Sequence, residues 1–252
     1  MHMPTDLVYY VVFGEQLYYD NTVLSIRSLR TLGGFEGRVL VFSDKPLAKS
    51  LDIENVVLSF DSFKDWFELR FSAFEYFDFE GYRTVTFLDG DVLVTKPFLD
   101  LYDPDYALTT FRQIDTYWNT GIVNALYFDA RMWYRHWYKH PVNAGQIIFR
   151  GPDCVTTLRT WRRVHEENRA KKVLQADFRY KKTWSDQCSL NYAIRSDQLH
   201  AKILTRGLRI PINVCNHFFN RDYALMHYAA LPANVAGERM QRRYDYLHAR
   251  AK

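Results

Sequence analysis

The chain has 252 residues, 48% of them hydrophobic and 17% aromatic, with a formal net charge of +4. This suits one large domain with a sizeable core, and so mild a positive charge excludes a dedicated nucleic-acid binder. Three widely separated cysteines, Cys154, Cys188 and Cys215, exclude a disulfide framework and point to a reducing, cytoplasmic compartment, while no run of about 18 apolar residues is present to cross a membrane.

Leu7 to Phe13 is a continuous apolar run closed by Gly14, which reads as a first buried strand rather than a secretory signal. From Asp20 to Leu32, Val23, Leu24, Ile26 and Leu29 recur at helical spacing, with Asp20 or Asn21 as cap and Gly33-Gly34 as stop. A second strand is expected over 38–43, so the chain opens as a β-α-β unit, which implies a right-handed crossover and a parallel sheet. A short strand is expected over 55–59. A helix is predicted over 62–77, with Phe63, Phe67, Phe71 and Phe74 on one face. Thr84 to Leu88 reads as a strand running directly into Asp89-Gly90-Asp91. Residues 112–142 hold many aromatics without a clean period and read as an insertion, helical over 130–140. The remaining expectations are a strand over 146–149, helices over 152–168 and 186–195, strands over 202–204, 208–212 and 225–228, and a basic helix over 237–251. No repeat or linker divides the chain, so a single α/β domain is expected over 1–252.

Asp89-Gly90-Asp91 places two carboxylates one residue apart at the end of a buried strand. Like charges so close raise each other's pKa, and a hard divalent cation, Mn²⁺ or Mg²⁺, removes the conflict. Gly90 lets the backbone approach a ligand closely. Open α/β sheets bind ligands at the carboxyl ends of their strands, where this turn falls. The surplus of aromatic rings suits the apolar faces of sugars.

With these residues in view, the chain resembles GT-A fold glycosyltransferases and is most similar to glycosyltransferase family 8. The resemblance rests on the order of weak motifs from Phe13 to His227, nearly the whole chain. It implies a mixed, mostly parallel sheet flanked by helices, and transfer of a hexosyl unit from a nucleotide sugar, in this family a UDP-sugar. The acceptor is a hydroxyl of a glycan, glycolipid or protein. By the same resemblance Phe13, Gly14, Glu15 and Tyr18 form the nucleotide turn, with Glu15 accepting from the base and Tyr18 stacking on it. Arg70 faces the nucleotide. Asn143, Ala144 and Gly145, read as a turn before a strand, contact ribose and donor sugar. A rival segment, Asn119-Thr120-Gly121, lacks a following strand. Asp186 binds donor hydroxyls, Gln187 lies beside the anomeric carbon, and His227 joins Asp89 and Asp91 as a metal ligand. Retention of configuration is implied, by a front-face path because Gln187 is a poor nucleophile.

The chain departs from the family after His227, where no lysine follows to meet the diphosphate, and Arg239, Arg242 and Arg243 are the candidates to replace it. Three alternatives stand beside this reading. A nucleotidyltransferase needs a glycine-rich phosphate loop with basic residues, and residues 14–19 contain one glycine and no base. A non-catalytic nucleotide-sugar binder would release no UDP. An inverting transferase needs a carboxylate base, for which Asp115 and Asp186 are available. The basic helix over 237–251 offers a peripheral contact to an anionic membrane.

Overall fold

Every second residue of a strand points to the same side of its sheet, and the first strand here is apolar on both sides. In the computed structural model, which describes residues 5–48, 51–112, 142–170, 186–204, 224–228 and 232–251, Leu7 and Tyr9 of that strand enter one core cluster and Val8 and Tyr10 a second. The body of the expected aromatic insertion, the strand over 208–212, Asp115, Asn119-Thr120-Gly121 and Cys215 lie outside the described residues.

The first strand, β1 (Leu7–Val12), is followed by α1 (Gln16–Thr31), β2 (Arg38–Ser43) and β3 (Glu54–Val57). Then come α2 (Phe63–Ser72), β4 (Thr84–Leu88), β5 (Val92–Val94), β6 (Leu108–Arg112) and β7 (Val142–Arg150). The chain continues with α3 (Cys154–Ala170), α4 (Asp186–Arg195), β8 (Ala201–Leu204), β9 (Leu225–His227) and α5 (Ala233–Ala251). Seven strands form a mixed sheet in the order β3-β2-β1-β4-β7-β6-β8. β1 pairs in parallel with both β2 and β4, β2 with β3, and β6 with β8, whereas β7 runs antiparallel to β4 and β6. The chain thus builds outward from β1 through β2 and β3, then returns to β1's other side with β4. The crevice at such a reversal is where open α/β sheets take ligands.

β5 and β9 form a separate antiparallel pair. The other edge of β5 is completed by α1: Ser28 Oγ accepts the Val94 N–H at 2.9 Å, and Ser25 Oγ donates to the Val92 carbonyl at 2.5 Å. Unpaired backbone groups at a buried edge are costly, and these serines satisfy them. Asn21, Thr22, Ser25 and Ser28 are all buried on α1. The helix begins at Gln16, four residues before the expected Asp20, with Glu15 at the cap position and no side-chain cap bond. Asp20 and Asn21 therefore do not cap it. Asn21 instead donates to the Ala233 carbonyl at 3.0 Å, tying down the first turn of α5, which starts before the expected Gly237.

Two other expectations are corrected. The phenylalanine stripe does not define the inner face of α2. Trp66, Leu69 and Phe71 are its buried residues, while Phe63 is 71% exposed. Asn143, Ala144 and Gly145 lie inside β7, not in a turn before it. Flanking β4 and β6 supply ladder partners that override the weak strand preference of Asn-Ala-Gly, and the β6 register shifts between Thr110 and Arg112. β6 itself had no counterpart among the expected elements.

Candidate active site

Asp89 leaves β4 with its N–H donated to the Gly145 carbonyl at 2.8 Å, and its own carbonyl accepts the Val92 N–H at 3.1 Å to close the acidic turn. Asp91 is held from the other side, its carbonyl accepting the Tyr228 N–H at 3.0 Å. A Cβ on Gly90 would collide with Thr22 Oγ1, so the tightness at that glycine is against α1 rather than against a ligand. Antiparallel pairing sets His227 opposite Val92. Its Nε2 lies 2.9 Å from Asp91 Oδ1 and 3.6 Å from Asp89 Oδ2. One ligand atom from each of Asp89, Asp91 and His227 falls within 4.8 Å of the others, a donor set that can hold a metal ion. A Cβ on Gly145 would stand 2.5 Å from the His227 ring and 2.9 Å from Asp89 Cγ, so only glycine fits there.

Hydrogen bonding fixes which imidazole nitrogen faces the acids. The Gly145 N–H donates to Asn143 Oδ1 at 2.7 Å, which orients that amide with its oxygen inward. His227 Nδ1 lies 3.1 Å from the same oxygen and must carry a proton to bond to it. Nε2 is thereby left toward Asp89 and Asp91, the arrangement by which outer partners orient a ligating histidine.

Burial pushes the Asp89 carboxyl above its usual range, opposed by Arg70 and His227 and reinforced by Asp91. Burial pushes the same way on Asp91, but the charge and hydrogen bond of His227 outweigh it and its pKa falls. For His227 burial acts downward and the two aspartates, Asp91 foremost, reverse it, so its pKa rises. Asp89 and Asp91 keep side-chain exposures of 19% and 29%, so the acidic groups open to one side.

Arg70, on the inner half of α2, joins this centre to α4. Its Nη2 lies 3.3 Å from Asp89 Oδ1, and its Nη1 donates to Asp186 Oδ2 at 2.6 Å. The guanidinium sits over Phe67, 4.1 Å from the ring centroid. Burial lowers its pKa, but Asp89 and Asp186 overcome this and raise it. Among the described residues, and with His227 neutral, the carboxylates of Asp89, Asp91 and Asp186 face one guanidinium, leaving two negative charges that a single divalent cation matches. Asn143 Nδ2 donates to Gln187 Oε1 at 3.3 Å, placing Gln187 beside the same group. The Ala144 methyl is buried in the apolar cluster with Trp161 and Leu190.

The expected nucleotide turn follows β1. Gly14 adopts φ 87°, a left-handed conformation natural to glycine. Phe13 stacks on Trp66 with centroids 5.2 Å apart, while Glu15 is exposed and Tyr18 is 49% exposed. Sequence reasoning missed the brace of this turn. Asp44, just past β2, accepts the Gly14 N–H at 3.0 Å and bonds the Tyr19 hydroxyl. Lys45 donates to the Gly14 carbonyl at 3.2 Å and lies over the Tyr19 ring. The only signal was an acidic residue directly after a buried parallel strand, the same placement that marked Asp89.

Arg239 and Arg243 on α5 act on Tyr228, next to His227. Burial raises that phenol to about 12, and the two arginines pull it downward. Arg242 is exposed and pairs with Glu238. Of the three candidates, Arg239 and Arg243 are partly buried and Arg242 is exposed.

This is the architecture of the GT-A glycosyltransferases: a mixed, mostly parallel sheet flanked by helices, with an Asp-X-Asp turn at the strand ends. No protein-family profile matches the chain, and no curated protein matches it in sequence. Solved structures do share its fold. A galactosyltransferase, LgtC, in complex with donor and acceptor sugar analogues superposes with TM-score 0.57 at 16% identity, covering 96% of this chain and 95% of that one. A glycosyltransferase involved in glycosylation of the major capsid of PBCV-1 gives TM-score 0.56 at 14% identity, over 95% of this chain and 100% of that one. An active-site Gln-to-Glu mutant of LgtC matches at TM-score 0.56 and 14% identity, over 96% and 95% of the two chains. At such identities the likeness defines the fold.

Proposed function

We propose that this protein is a metal-dependent glycosyltransferase of the family 8 type, moving a hexosyl unit from a UDP-sugar to an acceptor hydroxyl with retention. The observation that carries the reading is the convergence of Asp89, Asp91 and His227 within 4.8 Å at the switch point of a GT-A sheet. One protein with this fold is described as a galactosyltransferase bound to donor and acceptor sugar analogues, the ligand class this proposal brings to the chain. Two carboxylate oxygens and one imidazole nitrogen suit Mn²⁺, with Mg²⁺ as the harder alternative. Bound there, the ion supplies Lewis-acid stabilisation of the leaving diphosphate.

The chain's own residues do the rest. Asn143 keeps Nδ1 of His227 protonated and its Nε2 directed at the ion. Arg239 and Arg243 offset negative charge on the departing phosphate. Tyr18 offers an exposed ring to the base and Glu15 an acceptor. Asp186 has one carboxylate oxygen occupied by Arg70 at 2.6 Å rather than open to an acceptor hydroxyl, which favours retention over an inverting path through that residue. The bond from the anomeric carbon to the β-phosphate oxygen breaks, the acceptor oxygen bonds on the same face, and its proton passes to that phosphate oxygen.

UDP release from a panel of UDP-hexoses with Mn²⁺, and the anomeric proton signal of the product, test this reading. Asp89→Ala, Asp91→Ala and His227→Ala are each expected to lower turnover by at least about 10²- to 10³-fold with the fold intact. Full activity of Asp91→Ala in EDTA would remove the metal from the mechanism.

A further inference from the structure

α1 and α2 flank β1 from opposite faces of the sheet. Ile26 and Leu29 of α1 pack into the core cluster of Val8 and Tyr10, and Trp66 and Leu69 of α2 into that of Leu7 and Tyr9. Each helix carries an exposed aromatic ring in its first turn: Tyr18 on α1, 49% exposed, and Phe63 on α2, 71% exposed. A nucleotide has one base, and Tyr18 is the ring offered to it in the reading above. The ring of Phe13 goes to the α2 side, where it packs against the cluster of Leu7 and Tyr9 and stacks on Trp66. Phe63 is therefore one exposed ring more than the donor base needs.

Phe63 is joined to the site. Among the described residues its ring contacts are Phe13, met edge-to-face with centroids 5.1 Å apart, and Phe67, nearly parallel with centroids 6.0 Å apart. Arg70 covers Phe67 at 4.1 Å and its guanidinium holds Asp89 and Asp186. Positions 63, 67 and 70 recur at i, i+4 and i+7, so they share one face of α2. A stripe thus leads from an exposed ring to the residues assigned to the ion and the donor sugar.

The surroundings of Phe63 indicate what covers it. Ser62 caps the helix, its Oγ accepting the Asp65 N–H at 3.2 Å, which fixes the turn that carries the ring. Asp61, Lys64 and Asp65 beside it are all exposed. A flat apolar protein surface laid over this turn would desolvate those charges. A sugar suits it better, because its C–H face stacks on an aromatic ring while its hydroxyls meet the polar rim. Seven residues separate Phe63 from Arg70, a rise of about 10 Å along the helix. That is longer than one pyranose.

We propose that Phe63 stacks on an acceptor sugar one ring removed from the hydroxyl that is glycosylated, so that the acceptor is a glycan of two or more rings. This rests on the transferase reading above and gives that site its second substrate. Phe63 lies outside the core, so its truncation leaves the fold in place.

The test sets acceptors against water. UDP release from a UDP-hexose with Mn²⁺ is measured in water alone, and then with α- and β-linked methyl dihexosides and the matching methyl monohexosides. In the wild type the best dihexoside should exceed its monohexoside in kcat/KM by about tenfold or more. Phe63→Ala should raise KM for that dihexoside about 10- to 100-fold and erase its advantage, with release in water and UDP affinity changed by less than about twofold. Phe63→Tyr keeps a stacking face and should keep the advantage. A merely structural role would move release in water as well. Monohexosides that serve as well as dihexosides, or no glycoside that outpaces water, would overturn the acceptor assignment while leaving the donor reading intact. Weaker UDP binding by Phe63→Ala at unchanged acceptor KM would overturn it too, by giving the ring to the base. A wild-type chain that neither binds UDP with Mn²⁺ nor releases it in water loses the transferase reading, and the acceptor assignment with it.

Discussion

Asn143 sets the chemistry of a residue 84 positions away, because its amide oxygen accepts from both the Gly145 N–H and His227 Nδ1. If that contact fixes the ligating nitrogen, Asn143→Ala should weaken Mn²⁺ binding about 10- to 100-fold, as loss of an outer partner typically does. Isothermal titration with Mn²⁺ measures it. Asn143→Asp keeps an acceptor oxygen and should lose less, and equal affinity in all three proteins would show that the tautomer is set elsewhere. Asp89 and Asp91 were legible in the sequence because a buried strand ran straight into them. His227 was legible only through the order of motifs, since a lone histidine after a short strand carries no signal of its own. Asp44 carried only its position directly after a strand, and Ser43-Asp44-Lys45-Pro46 otherwise reads as an ordinary turn until parallel pairing of β1 and β2 sets it beside Gly14.

At the scale of elements, α1 is the support on which β5 and the acidic turn before it rest. Its inner face is polar where it meets β5 and the acidic turn, so an apolar period under-reports its length and misplaces its start. Asn-Ala-Gly in β7 misled for the same physical reason, since neighbouring strands rather than local preference decide its state. The contact of α1 with the acidic turn predicts a compensating pair. Gly90→Ala forces a methyl into Thr22 Oγ1 and should cost about 1–3 kcal/mol by overpacking. Thr22→Ala in the same chain removes that oxygen and should recover most of the loss, read as a coupling energy from denaturant midpoints. Additive effects would mean that the turn relaxes away from α1. The basic helix is likewise no detached tail. Met240 of α5 is fully buried with Leu24, Leu93, Met226 and Tyr228, so Met240→Ala should cost about 2–5 kcal/mol in the same assay.

Across the whole molecule, the β-α-β opening and the acidic turn made the α/β class and the ligand edge readable in advance. The antiparallel insertion of β7 between β4 and β6 was not readable, because its pairing with β4 joins residues more than fifty positions apart and leaves no local pattern. That topology draws Asp89 from β4, His227 from β9 and Asp186 from α4 to one point, with Arg70 between them. Folding thus concentrates negative charge that, among the described residues, Arg70 balances only in part. A divalent cation and a diphosphate that bind only the folded chain should therefore stabilise the entire fold by mass action, by about 2.7 kcal/mol at a hundredfold excess over Kd. For a chain of this size that corresponds to a rise in Tm of roughly 5–10 °C. Thermal unfolding with Mn²⁺ and UDP together should show the full shift, either alone a smaller one, and EDTA should reverse it. Asp91→Ala should unfold at the same temperature with and without Mn²⁺. A wild-type Tm indifferent to both ligands would mean that the convergence of these side chains serves no cation.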